Sequence, residues 1–198
     1  MFMQIIYELV RGFAYRRIRH GNMRLYTTWL PLALAALLVA IYLVLPTKPI
    51  LVGPKGLATS LLSVLSILPG FYFAGLAAVA TFGNPTMDQE MPNPAPEVVI
   101  LVSGAPVVTK LTRRLFLSYL FSYLVLVSFM LCFMAVALNA ISSSIDVWHG
   151  ALVRSTGTIW SWSVLKGIFG SVIAFAFASM LISTLHGVFF LSEKIHQP

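Results

Sequence analysis

LALAALLVAIYLVL, Leu32 to Leu45, decides what kind of protein this is. It carries no charged side chain and is apolar on every side. A barrel strand would alternate with period two, so this run reads as a helix surrounded by something other than water. Extended outward, it reaches from Thr28 to Pro46, with Trp29 and Pro31 at its entrance and Pro46 stopping it. A helix needs about 20 predominantly apolar residues to cross the hydrocarbon of a bilayer. Three more stretches free of Asp, Glu, Lys and Arg meet that length: Gly56 to Phe82, with Pro69-Gly70 near its middle, Leu115 to Ile141, and Gly167 to Ser192. The expected fold is an all-α membrane protein with spans at 28–46, 56–82, 115–141 and 167–192.

Composition agrees. Of 198 residues, 59% are hydrophobic and only 10% charged, whereas a soluble domain carries about 25% charged residues. That excludes a soluble enzyme, a disordered tail and a disulfide-stapled secreted module. The single cysteine, Cys132, has no partner for an intrachain disulfide and makes no zinc cluster.

The basic residues give the orientation. Arg11, Arg16, Arg17, Arg19 and Arg24 precede the first span, Lys110, Arg113 and Arg114 precede the third, and Lys194 follows the fourth. Lys48, Lys55, Arg154 and Lys166 lie in the other two connections. Both termini inside puts nine basic residues in the cytoplasm and four outside, which is the expected topology for an inner membrane. Residues 1–24 do not have the order of a cleavable signal, since their basic residues follow the apolar ones. Projected as an α-helix, Gln4, Glu8, Arg11, Tyr15 and Arg19 line one face, and Phe2, Ile5, Ile6, Leu9 and Phe13 the other. This predicts an amphipathic helix lying in the cytoplasmic interface, its arginines toward anionic headgroups. Membrane lipids are thus expected partners.

The connections carry the remaining features. The cytoplasmic one, 83–114, opens with GNPTMDQEMPNPAPE, a Pro-rich stretch holding Asp88, Glu90 and Glu97 that cannot continue a helix. It goes on with VVILVSGAPVV, Val98 to Val108, too short to span. Its β-branched content predicts a strand that pairs with a partner or a neighbouring copy, or alternatively a re-entrant loop. The outer connection, 142–166, holds Trp148, Trp160 and Trp162, which read either as interfacial anchors or as a membrane-surface sensor.

Chemistry is sparse. None of the acidic residues Glu8, Asp88, Glu90, Glu97, Asp146 and Glu193 falls within a span, which disfavours transport through a buried carboxylate. There is no HExxH, GxSxG or phosphate-cradling GxxxxGK[ST] pattern. Asp146 and His149 beside Ser142 to Ser144 form only a fragment of a hydrolase-like cluster. Catalytic residues, a metal site and a cofactor are therefore not expected.

His186 is the one ionisable side chain inside a span and shares a face with Ser179 and Ser183. It reads as a packed histidine or, more sharply, as a gate titrating near neutral pH. In span two, Thr59, Ser63, Ser66, Gly70, Ala74, Ala77 and Thr81 form one small-residue stripe. Gly167, Ser171, Ala174 and Ala178 do the same in span four. Such stripes let helices approach closely, and packing or a pore lining are the two readings. Cys132 and Asn139 should face protein. The net charge of +7 sits close to span ends, so direct nucleic-acid binding is not expected.

Four spans at 28–46, 56–82, 115–141 and 167–192, inside termini and minimal loops resemble the small four-span membrane subunit of the bacterial Kiwa anti-phage defence system. That resemblance implies a membrane-resident sensor that oligomerises and recruits a cytoplasmic DNA-binding partner. It transfers no functional residue. Docking would fall to Asp88, Glu90, Glu97, Arg16 and Arg17. The competing class is a small oligomeric pore lined by Ser63, Ser66, Gly70, Ser171, Ser179 and His186.

Overall fold

In a computed structural model the described residues are 7, 10–47, 49–50, 53, 56–81, 83, 85–92, 94–102, 105–142, 144, 147–148, 150 and 159–194. The chain is an all-α membrane protein with four helices long and apolar enough to cross a bilayer. After a 3₁₀ segment, Arg11–Arg17, the first span comprises a π turn, Leu25–Trp29, and α1, Leu30–Val44. The second comprises α2, Leu57–Leu65, and α3, Leu68–Thr81. A two-stranded sheet, β1 (Glu97–Val102) and β2 (Ala105–Lys110), precedes α4, Arg113–Ala140. The last span is α5, Ile159–Phe189, which loosens into a second π turn, Phe190–Lys194.

Two prolines explain the irregular turns. Pro31 has no N–H to return to the carbonyl of Thr27, and the i→i+5 turn sits immediately before it. Pro69 likewise cannot bond the carbonyl of Leu65, and the second span breaks at Ser66-Ile67. The orphaned carbonyl is not left bare. The Cys132 thiol of α4 donates to it across 3.0 Å, so this cysteine restores a backbone bond the proline removes. At the far end of the same pair, Asn139 Oδ1 accepts from the Gly53 N–H and from the Thr59 hydroxyl, each at 3.2 Å. Gly53 adopts φ +119, a left-handed conformation open to glycine.

The spans pack in a row rather than a closed square. α1 lies against α5, α5 against α4, and α2 and α3 against α4. The third span is the hub, with half of its most apolar window buried against about a fifth for each of the others. Leu117, Leu120, Leu124 and Tyr123 form its inner line. Close approach is bought at two glycines. A Cβ on Gly75 would lie 2.6 Å from the Phe121 ring, and one on Gly187 2.6 Å from Leu120 Cδ2.

The connection expected at 142–166 is shorter than the sequence suggested, because α5 begins at Ile159. Its 31 residues span about 46 Å, more than the ~30 Å of hydrocarbon, so the helix outruns the membrane. The strand expected at Val98 to Val108 is in fact two strands. They pair with each other in antiparallel register, Glu97 opposite Lys110 and Val102 opposite Ala105.

A substitution pair tests the packing. Gly75→Val should lower thermal stability in detergent by about 1–3 kcal/mol through overpacking against the Phe121 ring. Gly170→Val, where a Cβ meets nothing within 4 Å, should change it far less in the same melting assay.

Candidate functional site

The polar and aromatic groups gather at the end that carries the 3₁₀ segment, the sheet and Phe190–Lys194. There the N-terminal segment departs from the projected α-helix. A 3₁₀ helix has three residues per turn, so Gly12 and Tyr15 share a face, and that face meets the bundle, followed by Ile18, the extended residue that ends the helix. Tyr15 and Ile18 are buried. Tyr15, expected on the water-facing line, packs its ring 6.0 Å from Phe116 and 5.4 Å from Tyr123. Gly12 passes so close to Leu126 and the Ser122 carbonyl that a side chain there would collide with Leu126. Phe13 meets Tyr123 edge-on at 6.1 Å. Residues 1–6, 8 and 9, including the expected Phe2, Gln4, Ile5, Ile6, Glu8 and Leu9, lie outside the described residues.

Burial pushes the Tyr15 phenol strongly upward, partly offset by the Ser183 hydroxyl it faces. It is therefore a neutral packing group. Neither hydroxyl has another partner among the described residues. Ser179, one turn away, shares a 2.7 Å hydrogen bond with the Tyr123 hydroxyl. His186, the next on this face, sits between the rings of Tyr26 (4.5 Å) and Phe116 (6.0 Å). The Ser179–Ser183–His186 face thus meets an aromatic seam inside the protomer.

Arg11 fastens the sheet to this seam. Its guanidinium lies over the rings of Tyr7 and Tyr119, donates to both hydroxyls, and donates to the Val99 carbonyl at 3.3 Å. The Tyr7 hydroxyl accepts from the Leu101 N–H at 3.2 Å. Arg19 and Glu97 exchange both backbone bonds, 2.8 and 3.1 Å. These bonds take up the Glu97 backbone, the Val99 carbonyl and the Leu101 N–H on the edge of β1 turned away from β2.

Asp88 accepts two bonds from Arg114, Nε at 2.7 Å and Nη2 at 3.1 Å. Arg114 also donates to the Val79 and Ala80 carbonyls at 3.0 and 3.3 Å. One guanidinium thus caps the end of the second span, holds the acidic loop and starts the third span. The bond from Arg114 holds the Asp88 carboxyl below its ordinary value.

Of the other residues singled out, Glu90 is exposed and reaches Lys110 at 3.9 Å. Glu97 uses its backbone in both pairings. Arg16 lies 5.2 Å from the Phe175 ring, and Arg17 is exposed. Trp148 is exposed, and Trp160 and Trp162 lie in the opening turn of α5. Asp146 and His149 lie outside the described residues. Ser63, Ser66 and Gly70 face outward from the protomer, as does Ser171. Ser63 and Ser66 donate to the carbonyls of Ser60 and Ser63, and Ser171 to that of Gly167.

Arg11, Arg114, Tyr15 and Tyr119 are the groups that sequence reading missed. In sequence they carry only a charge or a ring near a span end, and no spacing marks them as partners. Among the described residues no three His, Cys, Asp or Glu side chains come together to hold a metal. No protein-family model matches the chain, nor does any curated protein or solved structure.

The Asp88–Arg114 pair predicts a pH dependence. A carboxyl whose pKa is lowered on folding stabilises the fold in full above its ordinary 3.8, and loses that contribution as pH falls through the lowered value. Melting curves in detergent should show the wild type losing its advantage over Asp88→Asn in that acidic window, and keeping it at neutral pH.

Proposed function

We propose that this chain is a non-enzymatic subunit of the bacterial inner membrane that works by assembly. Its arginine-bearing end faces the cytoplasm, it associates with further copies of itself, and it docks a cytoplasmic protein. The observation that carries this reading is how the polar groups are used. Arg11, Arg114 and Asp88 are spent on holding the N-terminal segment, the acidic loop and the sheet against the third span, and Ser179 and Tyr123 on joining the fourth span to it. Arg17, Arg24 and Glu90 are exposed at the same end and offer charges to a partner. In line with the Kiwa resemblance, we take that partner to be a DNA-binding protein and the setting to be defence against phage. The exposed Trp148, with Trp160 and Trp162, would then register perturbation of the outer surface.

Self-association is supported by the stripe on the second span. Ser63, Ser66, Gly70, Ala74, Ala77 and Thr81 point away from α4, and a small-residue surface in lipid favours another helix. The hydroxyl donors already bond their own helix, which favours packing over a water-lined path. Purification in mild detergent after co-expression with the native cytoplasmic proteins tests the reading. One complex of several copies with a cytoplasmic protein is expected. Gly70→Leu with Ala74→Leu should reduce it to monomers, while Arg17→Glu with Arg24→Glu should release the cytoplasmic protein and leave the copy number unchanged. Ion flux in liposomes that is abolished by Ser66→Leu would replace the scaffold with a pore.

A further inference from the structure

The β1–β2 hairpin, for which the sequence allowed a partner strand or a re-entrant loop, is built along its axis as a device with one wet end and one dry end. Directly paired residues share a face. The outward face therefore runs from Glu97 and Lys110 at the base, through Val99 and Val108, to Leu101 and Pro106. No charged residue lies between the two base positions. Val99, Leu101, Val107 and Val108 are between 41% and 56% exposed. A hairpin with one face in water alternates polar with apolar residues across its strands, whereas this one changes character from base to tip.

Its direction follows from its fastenings. At the base, Glu97 pairs with Arg19 and Lys110, immediately before α4 begins. Two residues on, the Val99 carbonyl is tied through Arg11 to Tyr119, about 9 Å along α4 from Arg113. The strand thus advances along the third span toward its middle, and at about 3.3 Å per residue Leu101 lies deeper still. The neighbouring N-terminal segment reaches Leu126 at Gly12, so the hairpin has company at that depth. Tyr119 and Arg11 are the residue types that mark the headgroup level.

We propose that the hairpin is inserted tip-first into the leaflet on this side, its outward face against acyl chains and its Glu97–Lys110 base among the headgroups. The occupant of the exposed face is lipid, continuous with the lipid surrounding the spans. The backbone supports a shallow insertion. On the β1 outer edge the Glu97 backbone, the Val99 carbonyl and the Leu101 N–H have partners in Arg19, Arg11 and Tyr7, and on β2 Pro106 has no N–H to leave bare, which lowers the cost of a shallow insertion. This inference does not depend on which cytoplasmic protein docks.

Full-length protein carrying Cys132→Ser, which keeps a donor for the Leu65 carbonyl, provides the test. Single cysteines are placed at Leu101, Val108, Leu43 (62% exposed on the first span) and Gln89 in the acidic loop. Each is labelled with bimane and reconstituted into vesicles of phosphatidylcholine with a minority of phosphatidylglycerol. Quenching is then measured with iodide in the water and with brominated acyl chains. Labels at 101 and 108 should match Leu43, with iodide quenching several-fold weaker than at Gln89 and clear quenching by the brominated lipid. Iodide quenching equal to that at Gln89 would place the hairpin in the aqueous phase and overturn the proposal. Shielding from both quenchers would overturn it in favour of a second copy or another protein lying on the face.

Discussion

A backbone carbonyl inside a bilayer has no water to turn to, and the architecture of this chain is arranged around that limit. Helices close their own bonds, which is why four uninterrupted apolar runs become four spans. Where Pro69 opens a gap, a side chain of the next span fills it. The Leu65 carbonyl freed by Pro69 receives the Cys132 thiol, and the last carbonyls of the second span receive the Arg114 guanidinium. Several serines and threonines within the spans, Ser63 and Thr184 among them, bond to their own helices. The same rule acts on the sheet, where Arg19, Arg11 and Tyr7 bond to the outer edge of β1.

The third span supplies the partner in most of these repairs. Its helix holds Cys132 toward the second span, Tyr123 toward the fourth and Tyr119 toward Arg11. Removing the side chains at two contact points, Gly75 and Gly187, lets the flanking helices come close enough for dispersion contacts to accumulate. A hydrophobic effect between helices is absent in lipid, so shape and these few polar links decide which surfaces meet.

The spans were legible because their signal is length and lack of charge, and both survive without knowledge of any partner. Which spans touch was not legible. α1 and α5 are apolar all round, and such a helix gives no clue to the side that meets protein. For the same reason the small-residue stripe of the second span could not be assigned a direction, and it turns outward while Leu65, Pro69, Tyr72 and Val79 turn in. The N-terminal segment was readable as helical and amphipathic. Its inward face was not, since a 3.6-residue period places Tyr15 with the arginines and a period of three places it with Gly12. The hairpin was half legible, its β-branched residues marking strand but not the pairing that sets Val102 opposite Ala105. The polar contacts at Arg11 and Arg114 join residues far apart in sequence, and no local pattern announces them.

The row order of the spans has a bearing on biogenesis. α1 packs chiefly on α5, and more than a hundred residues separate them. Spans two and three can join as soon as both have left the translocon, with Arg114 and Cys132 linking neighbours in time as well as in space. The opening span has no such companion. It must wait in lipid, or in the care of an insertase, until the fourth emerges, so that the earliest made of these four spans is the last to be packed.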